Sequence, residues 1–448
     1  MSRTRDMTLG SPTKLILTFA MPLLLTNIGQ QLYMIVDTAI VGRGVGVKAL
    51  AAVGATDWSY WVILWTITTI TQGFATFVSR YFGEKDYVKM NKAIANSLVL
   101  SGVVAIVLTV IGLILTRPIL TLLKTPADIM EDSVTYLSTM IAGSLAVAGY
   151  NITASILRSL GDGKTPMIAM IVAALMNIGL DLLTVFVFHW GVFGAAVASV
   201  VSQLIAFLYC LWQIQKVEII TLNKQTLLPD LAMMKTLLFF GLPLALQYVV
   251  INISGMILQS TINLQGSIFV AGYTATNKVY GLLECSAMAL GTSATTFFSQ
   301  NYGARKLERV SSGMRSTLVI GVGMAVVVGT CMTLFGHQVL NLFIDSTETG
   351  SHEALGVANT YLNVMSLSLV ILYLIYVYRS ILVSIGTSVP SMISGFTECV
   401  ARVFVAKGLV AWWGQESLFL AEPVAWIGSL VYIMGSYYVL RSRYLKPY

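Results

Sequence analysis

The chain alternates between long apolar runs and short polar connections. Each run is about 20–30 residues long, enough for a helix to cross a bilayer. The runs lack the ten-residue alternation of a membrane barrel strand, so they read as spanning helices. Twelve are expected, at 14–41, 55–79, 93–116, 130–157, 165–188, 192–214, 236–263, 269–299, 314–336, 354–382, 388–411 and 418–440. The longest polar connection, 213–235, carries Lys216, Glu218, Asn223, Lys224, Pro229 and Asp230. It separates a first lobe of six spans, 1–212, from a second lobe of six, 236–448, and is expected to be a cytoplasmic linker.

The two lobes repeat each other. Leu17-Thr18-Phe19-Ala20-Met21-Pro22-Leu23 matches Leu238-Phe239-Phe240-Gly241-Leu242-Pro243-Leu244. Phe77-Val78-Ser79-Arg80-Tyr81-Phe82-Gly83 matches Phe297-Phe298-Ser299-Gln300-Asn301-Tyr302-Gly303. Ile156-Leu157-Arg158-Ser159-Leu160-Gly161 matches Ile381-Leu382-Val383-Ser384-Ile385-Gly386. The displacement stays at about 220–225 residues, the mark of an internal repeat. Six spans, an even number, separate each pair, so both lobes run in the same sense through the membrane. The expected fold is therefore all-α and polytopic: twelve transmembrane helices in two pseudo-symmetric lobes around a central cavity.

Composition agrees. Of 448 residues, 56% are hydrophobic and 10% charged, with mean hydropathy +0.80; a soluble domain carries about a quarter charged. With the N-terminus inside, about twenty basic residues fall on the cytoplasmic side and about five outside, which fixes the orientation. Both termini are then cytoplasmic, in a cell membrane. Contact with anionic lipid accounts for the net charge of +7 without nucleic acid. Residues 1–13 do not read as a cleaved leader, and the first span is expected to serve as a signal anchor. Four scattered cysteines and three scattered histidines offer neither a disulfide frame nor a metal-ligand spacing. No nucleotide-binding or hydrolytic motif appears, so an enzyme is not expected. The candidate glycosylation sequons at Asn151 and Asn252 fall inside apolar spans and are discarded.

Acids inside spans carry the chemistry. A carboxylate in lipid is costly, and such residues face polar cavities and act there. Asp37 is the only acid of the first span; Gln30, Tyr33 and Asp37 share one helix face. Asp181 stands in the fifth span with Asn177 one turn earlier, and Asn151 and Ser199 lie in the fourth and sixth. This oxygen-rich set suits a proton or a hard cation such as Na⁺, with Asp37, Asp181 and Asn177 as its core. A register-locking polar network is the structural alternative. The second lobe places Leu258 opposite Asp37 in the repeat. There, Glu398 and Arg402, four apart, are expected to pair within their helix, and Lys278 to reach Glu284 or Glu398. Pro22 and Pro243 are expected to kink the first and seventh spans, as conformational elements. Aromatic and methionine side chains such as Trp65, Tyr248 and Tyr376 suit packing, lipid contact or a flat cation.

The chain resembles the multidrug and toxic compound extrusion family. The likeness rests on Met21-Pro22, Val36-Asp37-Thr38-Ala39-Ile40-Val41-Gly42, the run Leu157-Arg158-Ser159-Leu160-Gly161-Asp162-Gly163-Lys164-Thr165-Pro166, and Asn177-Ile178-Gly179-Leu180-Asp181. It implies a monomeric, twelve-helix exporter that exchanges organic cations or other drugs for H⁺ or Na⁺ and needs no cofactor. It is most similar to the DinF-like prokaryotic branch, whose first-lobe ion site maps onto Asp37 and Asp181, with Gln30, Tyr33, Asn151 and Asn177 in support. Ser199 stands where a threonine is usual. The seventh- and tenth-span acids of the NorM-like branch are absent. The alternative is a lipid-linked oligosaccharide flippase of the same superfamily, which would call for a strongly basic cavity; Lys278 and Arg402 are almost the only basic residues inside spans.

Overall fold

The computed structural model describes residues 4–222, 228–341 and 350–445, and these are almost wholly helical. Long apolar segments bonded within themselves are what a bilayer demands of a backbone. The first helices are α1 (Pro12–Gly44), α2 (Val47–Glu84), α3 (Tyr87–Leu122), α4 (Met130–Ala142) and α5 (Ser144–Ser159). They are followed by α6 (Lys164–Asp181), α7 (Gly191–Ile214), α8 (Leu231–Ile262), α9 (Ser267–Gly303), α10 (Leu307–Leu340) and α11 (Ser351–Ser384). The chain ends in α12 (Val389–Val403), the short α13 (Val410–Trp413) and α14 (Ala421–Tyr444). Wide π turns follow α6, at Leu182–Val187, and α12, at Phe404–Leu409.

Among the described residues, ten helices, several of them with their flanking turns, are long and apolar enough to span a membrane, or eleven with α4 and α5 taken as one span. Those two are bent by 42°. Gly143 sits at the bend, where a Cβ would lie 2.2 Å from Val200 on α7. The expected fourth span is thus broken, because α7 packs against backbone there. Helix α9 coincides with the expected eighth span but is outside the ten.

Polar residues set the helix ends. Asp86 caps α3 by accepting the Lys89 amide at 3.0 Å. Asp162 accepts the Lys164 and Thr165 amides and the Thr165 hydroxyl at the start of α6. Gly161, at φ +81°, brings the backbone against Arg5, whose amide donates to the Leu160 carbonyl at 2.8 Å. A side chain at 161 would meet the Arg5 carbonyl at 2.4 Å.

The internal repeat is written into the backbone as well. Lys85 and Arg305 both take positive φ after matched helices, as do Gly161 and Gly386. The π turns stand at matched places too.

The chain falls into two compact units, one of residues 1–9, 25–248 and 303–305, the other of residues 10–24, 249–302 and 306–448. Helices α1 and α8 each divide between them, shortly after Pro22 and Pro243. In the first unit, Val41, Val53, Met140, Val185 and Ala195 pack one apolar core. The linker segment is stapled to α3: Asn91 bonds the Ile219 carbonyl and the Thr221 amide, and Asn96 accepts the Asp230 amide. Residues 223–227 of the expected linker 213–235, including Asn223 and Lys224, lie outside the described residues. In the second unit, Tyr273 and Tyr361 stack with ring centres 4.2 Å apart and hydroxyls bonded at 2.9 Å.

Candidate ion site

Four elements of the first unit build the site. Helix α1 presents Tyr33 and Asp37, α6 presents Asn177 and ends on Asp181, the π turn carries Thr184, and α7 supplies Ser199, Ser202 and Gln203. Two glycines allow the close approach. A Cβ on Gly44, the last residue of α1, would lie 2.5 Å from Val185 in the π turn. One on Gly194 of α7 would lie 2.9 Å from Thr184. The π turn is therefore held between α1 and α7.

Asp37 and Asp181 are brought close enough for their carboxyl groups to interact. Asp37 is 7% exposed and Asp181 fully buried. Neither joins an ion pair among the described residues. As two ionised groups they have only acceptors to offer each other. Among the described residues, Asp37 Oδ1 and both Asp181 oxygens have no hydrogen-bond partner, and neither have the buried Asn177 Oδ1 and Gln203 Oε1, nor Thr184 Oγ1 in the π turn. An unsatisfied buried polar atom costs about 1–3 kcal/mol, and more when charged. One added positive charge would relieve several of these costs at once, since proton and hard cation both seek oxygen acceptors.

The other expected residues are placed as follows. Asn177 Nδ2 donates to Ser199 Oγ at 3.3 Å, so these two belong to the cluster. With Tyr33, Ser202 and Gln203 they line a narrow crevice whose apolar wall includes Met170 and Ala173. Asn151 is engaged elsewhere: its oxygen accepts Thr68 Oγ1 at 3.2 Å and its amide donates to the Val147 carbonyl. Gln30 is half-buried on α1 and does not line the crevice. Pro22 and Pro243 lie inside α1 and α8. Sequence reasoning missed Gln203, Ser202 and Thr184. The signal was there: Ser199, Ser202 and Gln203 form an i, i+3, i+4 polar face on an otherwise apolar helix.

The second unit departs from expectation. Glu398 and Arg402 do not pair with each other. Glu398 bonds Arg379 of α11, and Arg402 bonds Glu422 of α14 at 2.7 Å. Both side chains point off α12 toward neighbouring helices, which offer partners already in place. Lys278 is exposed. Glu284 accepts the Tyr376 hydroxyl at 2.9 Å and, among the described residues, reaches neither Lys278 nor any other cation as an ion pair.

Comparison with known proteins adds the family. The model described as MatE matches twice, at residues 22–183 and 243–406, once in each half. The Bacillus subtilis protein named "Probable multidrug resistance protein YpnP" is 27% identical, covering 95% of this chain and 94% of its own length. "Multidrug export protein MepA" of Staphylococcus haemolyticus is 24% identical over 96% of this chain and 94% of its own. A solved MOP superfamily transporter from Pyrococcus furiosus shares the fold with TM-score 0.89, at 23% identity, over 98% of this chain and 97% of that one. With both matches together spanning well over half of its length, the chain is a multi-pass membrane protein and belongs to the MatE family, the multidrug and toxic compound extrusion proteins.

Proposed function

We propose that the protein is a secondary active multidrug exporter, which expels organic cations or related drugs in exchange for H⁺ or Na⁺. The single observation that carries this reading is the buried Asp37–Asp181 pair, which has no ion-pair partner among the described residues and whose oxygens are largely without hydrogen-bond partners there. The names of the relatives, multidrug resistance and export proteins, support the direction of transport and the drug class. In this reading the chain is a monomer with twelve spans in two six-helix lobes, 1–212 and 236–448, joined by the linker 213–235. It lies in the cell membrane with both termini cytoplasmic. The coupling ion enters from outside, settles on Asp37 and Asp181, and stabilises one arrangement of the helices. It drives the exchange only through its different affinity for the two arrangements. A flippase reading is weaker, because Arg402 is already committed to Glu422 and offers no basic cavity.

The test is dye efflux from proteoliposomes under an imposed pH gradient or an imposed Na⁺ gradient. One of the two gradients is expected to drive efflux, and Asp37→Asn is expected to abolish it while the purified protein keeps its thermal stability. Normal gradient-driven efflux by Asp37→Asn would contradict the proposal.

A further inference from the structure

The second unit repeats the elements of the ion site but reverses its charge. One displacement of 221 residues carries Pro22 onto Pro243, Tyr33 onto Ser254, Asn177 onto Glu398 and Asp181 onto Arg402. Asp181 is the last residue of α6 and Arg402 the last but one of α12, each just ahead of a π turn. Helix α12 has 15 residues against 18 in α6, so the helix starts differ while the ends correspond. The Asp181 oxygens and the nearby Asn177 Oδ1 lack partners among the described residues. Around Arg402 the oxygens are engaged by its two terminal nitrogens, while its Nε has no partner among the described residues. Its guanidinium, 4% exposed, bonds Glu422 Oε2 at 2.7 Å, Ser254 Oγ, and the Ile251 carbonyl at 3.4 Å. One cation thus joins α8, α12 and α14.

We propose that Arg402 is the resident cation of the second unit. Its guanidinium does between α8, α12 and α14 what an external ion does between α1 and α6 of the first unit. The inference rests on the first site being an ion site, and it adds a ligand class. Emptied of its side chain, the Arg402 site binds a free guanidinium-type cation, held by Glu422 and oriented by Ser254. A planar guanidinium suits this set better than a spherical ion, because its fork of N–H donors reaches a carboxylate, a hydroxyl and a carbonyl together. The companion pair Arg379–Glu398, with Ser394 and Ser429 also bonded to Arg379, is complete without it. The two α12 pairs therefore need no ion from outside.

The test is thermal unfolding of purified protein in detergent. Removing one partner of a buried ion pair is strongly destabilising, so Arg402→Ala is expected to lower Tm by about 5–10 °C. Millimolar guanidinium chloride is expected to recover at least half of that loss. Choline chloride at equal ionic strength, and urea, the neutral shape-mate of guanidinium, are expected to recover none. The double variant Arg402→Ala/Glu422→Gln is expected to show no guanidinium effect. Equal action of urea and guanidinium on Arg402→Ala, or guanidinium protection that persists in the double variant, would overturn the proposal. Should Arg402→Ala not fold, the charge-free pair Arg402→Met/Glu422→Gln decides. Folding of that pair with near-native Tm supports a role in charge compensation, and its failure to fold overturns it. The readout is stability, so a failure of the ion-exchange reading, seen in efflux, leaves a separate signature.

Discussion

Asp37 and Asp181 illustrate what one residue can announce from sequence. An acid in a span is costly enough to stand out, and both were legible on that ground. Their meeting was not legible, because it depends on how α1 packs on α6. Thr184 and Gln203 were silent for another reason: neutral polar side chains occur in spans at little cost, and only a folded neighbour shows whether they are satisfied. Thr184 Oγ1, in the π turn that follows Asp181, is buried and has no partner among the described residues. Thr184→Val removes that oxygen at nearly constant shape. In ion-free buffer the variant is expected to be at least as stable as the parent, since an unsatisfied group is lost. Its apparent affinity for the coupling ion is expected to fall about tenfold, the worth of roughly 1.4 kcal/mol. Melting curves across an ion titration measure both. A lower ion-free Tm with unchanged affinity would make Thr184 a packing residue only.

At the scale of elements, the existence of the spans was legible and their details were not. Hydropathy located the runs, but α2 and α3 extend well beyond them, because helical hydrogen bonding continues into polar flanks. The break between α4 and α5 was invisible, since Gly143 signals nothing until Val200 is seen against it. The pairing of Glu398 and Arg402 was misjudged because spacing along one helix says nothing of partners on the next. Gly44 is the informative case. It lets the end of α1 rest on the π turn after Asp181. Gly44→Val would drive a methyl group into Val185, and overpacking of this kind costs about 1–3 kcal/mol. The cheapest relief is a shift of α1 away from the π turn, which separates Asp37 from Asp181. Gly44→Val is therefore expected to keep its membrane insertion and lose most ion-driven efflux. Gly179→Ala, where nothing lies within 4 Å of the added Cβ, is the matched control with efflux close to normal.

At the scale of the molecule, the sequence repeat predicts equal halves, and the charged groups make them unequal. In the first unit Asp37 and Asp181 join no ion pair among the described residues; in the second, Arg379 and Arg402 are each bonded to an acid. A unit that supplies its own positive charge gains little from an external ion, while one that lacks it gains much. Ion dependence should then follow the first unit alone. Glu284 is the sharpest probe, because it is a second-unit carboxylate bonded to a tyrosine hydroxyl and to no cation among the described residues. If both halves coupled to the ion, Glu284→Gln would change how efflux depends on the gradient. The division of charge argues otherwise. Glu284→Gln is expected to keep the parent's ion dependence, with a rate within about threefold, because a glutamine oxygen still accepts the Tyr376 hydroxyl. Asp181→Asn is expected to lose ion-driven efflux altogether. Efflux rates in proteoliposomes, measured against the size of the imposed gradient for the two variants side by side, compare the halves directly. A shifted gradient dependence for Glu284→Gln would place coupling in both units and remove the asymmetry on which the assignment of the first site depends.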